Sequence, residues 1–436
     1  MKIPEKPPDI TNISLENSLF SEEMSIVVKK ANRDYLYWDK FKYQIPEGIR
    51  TESAWAALKT ARSLQMKYVP LKDTSGRPFC YWLPDIVLQY LHLIDKDTGG
   101  QIITDNPSIY AQEKKWYLMN SIVEEAIASS QIEGAVTTRQ VAKDMLQTGR
   151  KPRDRSEQMV YNNYITISKI RELIDKPLTP ELLKELQGSI TKDTLDDPSY
   201  EGRFRTAEDR PIYVSDFEGN ILHAPPPAQN IKESIDLLCE FANEDKEEEF
   251  IHPVIKGIIL HFWLAYIHPF NDGNGRTARA LFYWYMLKKN YWLFEYLSIS
   301  NIILKVRTQY YRSFLYSEID GGDMTYFIVF HLRAIFTAIG QLKRYIKQKQ
   351  EEARDVATQW IRYPYLNYRQ KGILNRGLAN SEATFTFESH MRMYGVVHQT
   401  ARTDLLQLVK AGLLEKIKKG RKFYFVPVKD LKDRLK

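Results

Sequence analysis

Residues 268–279 read His-Pro-Phe-Asn-Asp-Gly-Asn-Gly-Arg-Thr-Ala-Arg, and this stretch decides the expected fold. It follows an apolar run over residues 254–267 and precedes a helical pattern over residues 276–287, which predicts a loop between two helices. The segment Asp272-Gly-Asn-Gly275 combines two glycines with two residue types that tolerate the left-handed backbone region. Its NH groups can therefore converge at a helix N-terminus, where the positive end of the helix dipole attracts anions.

Several side chains of this loop have the chemistry of nucleotidyl transfer. Arg276 and Arg279 are three residues apart on the first helical turn, so they share a face and can clamp phosphates. Asp272 offers a hard oxygen ligand for Mg²⁺, and the pKa of His268 suits removal of a proton near neutral pH. The loop lacks the Gly-Lys-Ser/Thr ending of a P-loop. An isolated Gly-x-Gly would indicate a plain turn, but the complete set favours a catalytic site.

The loop resembles the signature of the Fic family, His-x-Phe-x-Asp/Glu-Gly-Asn-Gly-Arg-x-x-Arg, at every defined position. The resemblance implies transfer of AMP from ATP to a hydroxyl group of a protein, the chain itself included, with release of pyrophosphate. It implies that His268 is the base, Phe270 anchors the loop and Asp272 holds Mg²⁺. The family's phosphate-binding residues correspond to Gly273, Asn274, Gly275, Arg276 and Arg279.

An upstream segment, Ser129-Ser-Gln-Ile-Glu-Gly134, resembles the inhibitory motif of the same family, Ser/Thr-x-x-x-Glu-Gly/Asn. Ser129 and Glu133 are four residues apart and share a helical face, with Gly134 as the terminator. A carboxylate paired with Arg279 would occupy the guanidinium that the terminal phosphate of ATP needs. The resemblance therefore predicts an autoinhibited enzyme with its inhibitory helix near residues 120–135.

Two further regions resemble parts of the family's site. Short strands are predicted around the turn 216–220, with Ile212, Tyr213 and Val214 before it, in the place of the family's target-binding flap. Tyr310 and Tyr311 lie where the family packs aromatic residues beside adenine. Adjacent residues face different directions on a helix, so one of the two tyrosines can instead belong to the core.

The predicted fold is mainly α: an all-helical core with a small β-hairpin, then a C-terminal winged helix-turn-helix. Residues 1–110 are expected to be a partly helical lead-in, residues 111–345 the Fic catalytic domain, and residues 360–436 the winged-helix module. The second helix of the module and its wing carry DNA-contacting residue types: Gln399, Thr400, Arg402, Thr403, Lys416, Lys418, Lys419, Arg421 and Lys422. Packing or homodimerisation is the alternative role.

Composition narrows the class of protein. A chain of 436 residues exceeds the ~250 to 300 at which single cores stop growing, so two or three domains are expected. Cys80 and Cys239 are its two cysteines, too few for a disulfide framework, which favours a reducing compartment. The N-terminus lacks a signal-peptide pattern, and residues 254–267 are too short to span a membrane. We expect a cytoplasmic protein without a membrane partner.

The net charge of +7 is compatible with binding of ATP or nucleic acid and requires neither. A DNA-binding regulator whose Fic-like core senses a nucleotide is therefore a second class of function. Within the enzyme class, transfer of another phosphate-containing group, or removal of AMP, stays an alternative. The histidine beside the phosphate loop favours an enzyme, because a sensor has no use for a base at position 268.

Overall fold

The protein was analysed as a computed structural model. The structure describes the chain except residues 1, 11–12, 14–20, 99–106, 216–217, 246–248, 361–362, 420–421 and 436, and it describes no side chains at 107–116, 349–360, 379 and 419. The described chain is mostly helical with short two-stranded sheets, which confirms the predicted mainly α class. Two compact units divide it: residues 1–101 with 121–340, and residues 102–120 with 341–436. The predicted three-domain division stays a prediction.

The N-terminal part of the first unit contains α1 (Glu22–Asp34), α2 (Trp38–Phe41), α3 (Thr51–Ser63), β1 (Lys67–Lys72), β2 (Pro78–Tyr81) and α4 (Asp85–Thr98). The strands β1 and β2 pair as an antiparallel hairpin, which was not predicted from the sequence. Asp73 shapes that turn, because its carboxylate accepts hydrogen bonds from the NH groups of Ser75 and Arg77, both at 2.9 Å. The Phe79 ring of β2 packs on Tyr266 with centroids 4.9 Å apart. The lead-in therefore contacts the helix that precedes the loop at residues 268–273.

The rest of the first unit is helical apart from one hairpin. Its elements are the end of α5 (Pro107–Ile132), α6 (Arg139–Thr148), α7 (Arg155–Leu173), α8 (Pro180–Thr191), β3 (Val214–Ser215), β4 (Ile221–His223), α9 (Ile231–Asn243), α10 (Pro253–Ile267), α11 (Asn274–Lys288), α12 (Ile299–Lys305), α13 (Arg307–Ile319) and the start of α14 (Thr325–Trp360). The helices α10 and α11 are buried on nearly all sides. A helix that is buried on all sides belongs at the centre of a core, so the loop that follows α10 joins two core helices.

The helix α14 is the longest of the described elements. It runs without a break from Thr325 to Trp360, which is 36 residues. Its part Thr325–Gln348 has the length and apolar composition that a membrane crossing requires, and 67% of the most apolar window is buried in the fold. Core helices share these properties.

The second unit contains α15 (Tyr368–Ala379), α16 (Phe387–Tyr394), α17 (His398–Lys410), β5 (Leu414–Lys419), β6 (Lys422–Pro427) and α18 (Leu431–Arg434). Its core includes Leu374, Leu405 and Phe425, all fully buried. Asp404 is a buried polar centre, because its carboxylate binds Arg369 at 2.5 Å and His390 at 2.9 Å. Helices followed by a hairpin were expected here. The winged-helix assignment stays a prediction, and Arg421 of the wing lies outside the described residues.

Candidate active site

The candidate catalytic loop begins where α10 ends. His268 caps α10 in the left-handed conformation, with a φ of 47°, and its NH donates to the carbonyl of Leu264 at 3.1 Å. Gly273 has a φ of 84° and forms the N-cap of α11. A left-handed non-glycine residue is uncommon and persists where the surroundings hold it, often at functional sites. The loop is thus a constrained turn between two buried helices.

Phe270 and Asn274 hold the loop closed. The Phe270 side chain is fully buried and its ring lies on that of Phe204, with centroids 5.0 Å apart. The Asn274 amide bonds the backbone of Phe270 twice: its Oδ1 accepts from the NH at 2.9 Å, and its Nδ2 donates to the carbonyl at 2.7 Å. The Asn274 side chain therefore shapes the loop, and the anion-binding groups it leaves available are backbone NH groups.

Two residues outside the motif also position the loop, and the sequence did not indicate them. Arg205 donates from Nε to the carbonyl of His268 at 2.8 Å, and its backbone NH donates to the carbonyl of Pro269 at 2.9 Å. Gln187 donates from Nε2 to the carbonyl of Asp272 at 3.0 Å. For Gln187, a polar residue among the apolar positions of α8 could have indicated a buried hydrogen-bonding role. Both ends of the loop are consequently fixed from distant elements.

His268 has the protonation state of a base. Its Nδ1 lies 3.1 Å from the carbonyl of Ala265, and since a carbonyl only accepts, Nδ1 carries the proton. Nε2 is then the unprotonated nitrogen. Burial lowers the pKa of His268 to about 4, with positive charge on His223 and Arg205 acting in the same direction. The imidazole is therefore neutral at pH 7 and able to accept a proton through Nε2.

His223 ties the hairpin β3–β4 to the catalytic helix. Its Nε2 lies 2.8 Å from the carbonyl of Tyr266, and its Nδ1 lies 2.7 Å from a carboxylate oxygen of Glu318. Both partners are acceptors when Glu318 is ionised, so both bonds require a protonated imidazole. Burial opposes this charge, but Glu318 outweighs burial and raises the pKa of His223. The hairpin is thus fixed two residues before His268.

The hairpin is shorter than predicted. Val214 pairs with His223, but Ile212 and Tyr213 lie outside the strand, so the predicted strand over these three residues was wrong for two of them. Continued pairing would set Ile212 opposite Pro225, which has no NH to donate. Tyr213 is 55% exposed. The predicted turn is described in part, since residues 216 and 217 lie outside the described residues.

The two arginines of the loop are almost fully buried on the first turns of α11. Arg276 donates from Nη1 to the carbonyl of Ile190 at 3.1 Å. Arg279 donates from Nε to the hydroxyl of Ser129 and from Nη2 to its carbonyl, both at 2.8 Å. Arg276 Nε and Arg279 Nη1 are buried and have no hydrogen-bond partner in the part of the chain that the structure describes. Buried donors of this kind need an acceptor, which an anionic ligand would supply.

Glu133 lies directly beside this pair of arginines. The helix α5 ends at Ile132, and Gly134 follows Glu133 with a φ of 95°. A carboxylate oxygen of Glu133 lies 2.9 Å from Nη2 of Arg279, and a Cβ placed on Gly275 would overlap the carboxylate. Burial opposes the charge on Glu133, but Arg279 lowers its pKa below the ordinary value. An ionised carboxylate therefore fills the space above Gly275.

Asp272 is the candidate Mg²⁺ ligand. Its Oδ1 accepts from the NH of Gly273 at 2.5 Å, and its Oδ2 lies 3.8 Å from Arg276 and 3.9 Å from Arg155. The side chain is 46% exposed. Among the described residues no three His, Cys, Asp or Glu side chains cluster into a metal site. One exposed carboxylate fits Mg²⁺ that takes its other ligands from nucleotide phosphates and water.

The two tyrosines differ in their surroundings. Tyr310 is 2% exposed, and its hydroxyl lies 3.0 Å from Nε2 of His261 in the core. Tyr311 is partly buried, and its hydroxyl donates to the carbonyl of Ile132, the last residue of α5, at 3.3 Å. Tyr311 therefore contacts the end of α5, whereas Tyr310 has the environment of a core residue.

The fold and site together define a mostly helical protein with a constrained loop at a helix N-terminus, paired buried arginines and a neutral histidine. Residues 177–286 match the profile of the Fic/DOC family, and this range includes the loop. This part of the chain is therefore similar to the Fic/DOC family.

Curated relatives are similar over part of their length. The chain is 36% identical over 84 residues to "Protein adenylyltransferase Fic" of Nematostella vectensis, which covers 19% of this chain and 17% of that protein. It is 31% identical over 134 residues to "Protein adenylyltransferase fic-1" of Caenorhabditis elegans, which covers 30% of this chain and 22% of that one. The matched segments thus span about a fifth of these relatives.

Solved structures share the fold. A Fic family protein from Desulfovibrio desulfuricans G20 superposes with a TM-score of 0.51 at 18% identity, covering 78% of this chain and 96% of that one. Fic-1 from Caenorhabditis elegans gives the same TM-score at 17% identity, with 75% and 86% covered. At these identities the similarity shows the fold alone.

Proposed function

We propose that this chain transfers AMP from ATP to a hydroxyl group of a protein. The observation that carries the proposal is the arrangement of Arg276 Nε and Arg279 Nη1, two buried donors without partners among the described residues, beside a loop whose His268 is neutral. Buried unpaired donors indicate an anionic ligand, and a neutral imidazole beside it suits proton removal. The adenylyltransferase names of the relatives support the choice of AMP as the transferred group.

Each residue of the site then has a separate role in the proposed reaction. The NH groups of residues 274 and 275, together with Arg276 and Arg279, bind the phosphates, while the NH of Gly273 donates to Asp272. Asp272 would hold Mg²⁺, which neutralises phosphate charge when bound. Nε2 of His268 accepts the proton of the acceptor hydroxyl as its oxygen bonds to the α-phosphorus. The bond from the α-phosphorus to the bridging oxygen breaks, and pyrophosphate leaves with both electrons of that bond.

We further propose that Glu133 inhibits the enzyme. Its carboxylate occupies Arg279 and the space above Gly275, where a phosphate of ATP would bind. A carboxylate and a phosphate cannot share one guanidinium edge, and two anions in that space repel each other. ATP can bind productively only after Glu133 moves.

A nucleotide sensor is the main rival to this proposal. A sensor needs the arginines and the loop, but it gains nothing from a histidine held in one tautomer with Nε2 as the acceptor. The position of the neutral imidazole therefore favours the enzyme. Which group the enzyme transfers depends on the orientation of the nucleotide, which a labelling experiment determines.

The test uses the full-length protein carrying Glu133→Gly, mixed with a cell lysate and ATP labelled on either the α- or the γ-phosphate. We expect protein to retain the α label and not the γ label. Adding His268→Ala should reduce labelling by ~10² to 10⁴-fold, the range for loss of a general base, while ATP binding persists. Transfer of the γ label would indicate a kinase-type reaction, and undiminished labelling without His268 would refute the mechanism. ATP binding with no label transferred would favour the sensor.

A second candidate function concerns the second unit alone, and it is binding of duplex DNA. The exposed face of α17 carries Gln399, Arg402 and Thr403, and β5 exposes Lys416 and Lys418. Polar and basic side chains on a helix and an adjacent hairpin are suited to base edges and phosphates.

A further inference from the structure

A polar stripe follows one face of the inhibitory helix. Ser121, Glu125 and Ser129 on α5, and Glu133 after its end, are spaced four residues apart, so they share one face. The first three are nearly buried, at 6%, 2% and 1% exposure. The opposite neighbours on α5 are apolar: Val123 and Ile127 belong to a hydrophobic cluster with residues of α6 and α7. The helix thus has one apolar and one hydrogen-bonding face.

The stripe is bonded to the segment that follows α11. The hydroxyl of Ser121 donates to the carbonyl of Tyr296 at 2.9 Å. Glu125 accepts from the NH of Ser300 at 2.9 Å, from the hydroxyl of Ser298 at 3.1 Å, and from the hydroxyl of Ser300. These groups lie at the start of α12. Glu125 is therefore a buried carboxylate that several neutral donors converge on.

Such a group is costly to displace. Burial raises the pKa of Glu125, although the hydrogen bonds from Ser300 oppose this shift. A buried carboxylate that loses its donors is left unsatisfied, so its bonds define one position of the helix along and about its axis. Apolar contacts of Val123 and Ile127 are non-directional and define that position less well. Directional bonds at buried polar groups are known devices for setting register.

We propose that Glu125 is a positioning residue of the inhibitory segment: its bonds at the start of α12 set the register that holds Glu133 on Arg279. The two carboxylates are eight residues apart, or about 12 Å along a helix. A slip of one residue at Glu125 would rotate the face by about 100° and carry Glu133 off Arg279. This inference rests on the proposed inhibition by Glu133.

The experiment measures α-labelled AMP incorporation and ATP affinity for Glu125→Ala and Glu125→Gln, each in the unchanged chain and in the Glu133→Gly background. In the unchanged chain we expect incorporation to rise by about 2- to 100-fold and ATP to bind more tightly, because Arg279 is released more often. In the Glu133→Gly background the same changes should add nothing to either quantity. Glu124→Gln is the matched control, since Glu124 lies next on α5 and pairs instead with Arg139 at 2.5 Å.

Each result decides between positioning and plain structural support. A purely structural role predicts that Glu125→Ala lowers incorporation by the same factor in both backgrounds, together with the thermal midpoint, and that result would overturn the inference. The Gln variant keeps the shape of the side chain, so it carries the test if the Ala variant unfolds. No change in incorporation for either variant, while Glu133→Gly activates, also overturns it. If Glu133→Gly itself fails to activate the enzyme, that result refutes the proposed inhibition, and it refutes this inference as well.

Discussion

Asp272 illustrates how a single residue in the loop can be tested apart from its neighbours. One of its oxygens already accepts from the NH of Gly273, while Oδ2 has two guanidinium groups just beyond hydrogen-bond distance. Its negative charge therefore stands close to where phosphates would bind. Without a metal ion that charge repels ATP, whereas with Mg²⁺ it supplies a ligand. Whether Asp272 raises or lowers the affinity for ATP therefore depends on the presence of Mg²⁺.

The change Asp272→Asn should consequently have opposite effects in two conditions. With Mg²⁺ we expect ATP affinity and transfer to fall by about 10- to 100-fold, since the ion loses a charged ligand. In EDTA, ATP affinity should stay equal or increase, because a repelling charge is removed. Titration calorimetry in both conditions measures the difference. Asp196→Asn is the control, a 92% exposed carboxylate paired with the same Arg155. Equal activity of Asp272→Asn at every Mg²⁺ concentration would contradict the assignment.

At this scale the sequence predicted side chains whose spacing is local. His268, Asp272, Arg276 and Arg279 lie within one loop and one helical turn, so residue type and spacing indicate their chemistry. Arg205 could not be predicted in the same way, because its bonds to the loop join residues 63 positions apart. Contacts at such separations depend on tertiary packing, which no local pattern of one sequence encodes.

At the scale of elements, the core helices and the C-terminal hairpin were predictable, whereas the hairpin β1–β2 was not. Apolar residues at three- and four-residue spacing indicated α10 and α11, since a core helix must bury its face. No strand was predicted over residues 67–81, and β2 lacks an alternation of buried and exposed side chains, because Phe79, Cys80 and Tyr81 are successively buried. Neighbouring helices decide that burial pattern.

The proposed inhibition can be tested at the end of α5, where Glu133 pairs with Arg279. Glu133→Gly removes the carboxylate 2.9 Å from Arg279, so transfer should rise. Arg279→Ala alone should lower transfer, and the double variant should fall back to that low level. The two changes should then be non-additive by at least about 1 kcal/mol, as for residues in contact. Initial rates of labelling for the four proteins give this coupling.

Two further variants serve as controls for the test of inhibition by Glu133. Glu133→Ala should activate as Glu133→Gly does, which separates removal of the carboxylate from the added flexibility of a glycine. Glu124→Ala, on the same helix, should leave the rate unchanged, because Glu124 pairs with Arg139 and not with the loop. Transfer that is indifferent to Glu133 but abolished by His268→Ala would leave the catalytic proposal in place and refute the inhibition.

At the scale of the whole molecule, the structure contains contacts between distant segments that the sequence did not indicate. The lead-in belongs to the same unit as the helical core, and buried ion pairs contribute to this packing. Lys59 of α3 lies 2.9 Å from Asp320 and 3.2 Å from Asp323, at the junction of α13 and α14. These partners are more than 260 positions apart in sequence. From the sequence alone, a charged residue is expected at the solvated surface. Its burial and its ion pairs become evident only in the folded chain.

The last prediction concerns the second unit and its relation to nucleic acid. Lys416 and Lys418 are exposed on β5, and Arg402 is exposed on α17. If this surface binds phosphates, the full-length protein should retard duplex DNA in a gel, with an affinity that falls as salt rises. The double change Lys416→Ala with Lys418→Ala should weaken binding and reduce the slope of log affinity against log salt by about one for each lysine that binds a phosphate. Lys432→Ala, on α18, is the control for removal of a charge elsewhere in the unit.

Arg402→Ala should lower the preference of the protein between DNA sequences if Arg402 contacts a base edge, and it should lower only the overall affinity if Arg402 binds phosphate. Retardation that is absent, or insensitive to salt and to the two lysines, would assign the unit to packing or homodimerisation, which sedimentation of the same variants would then detect.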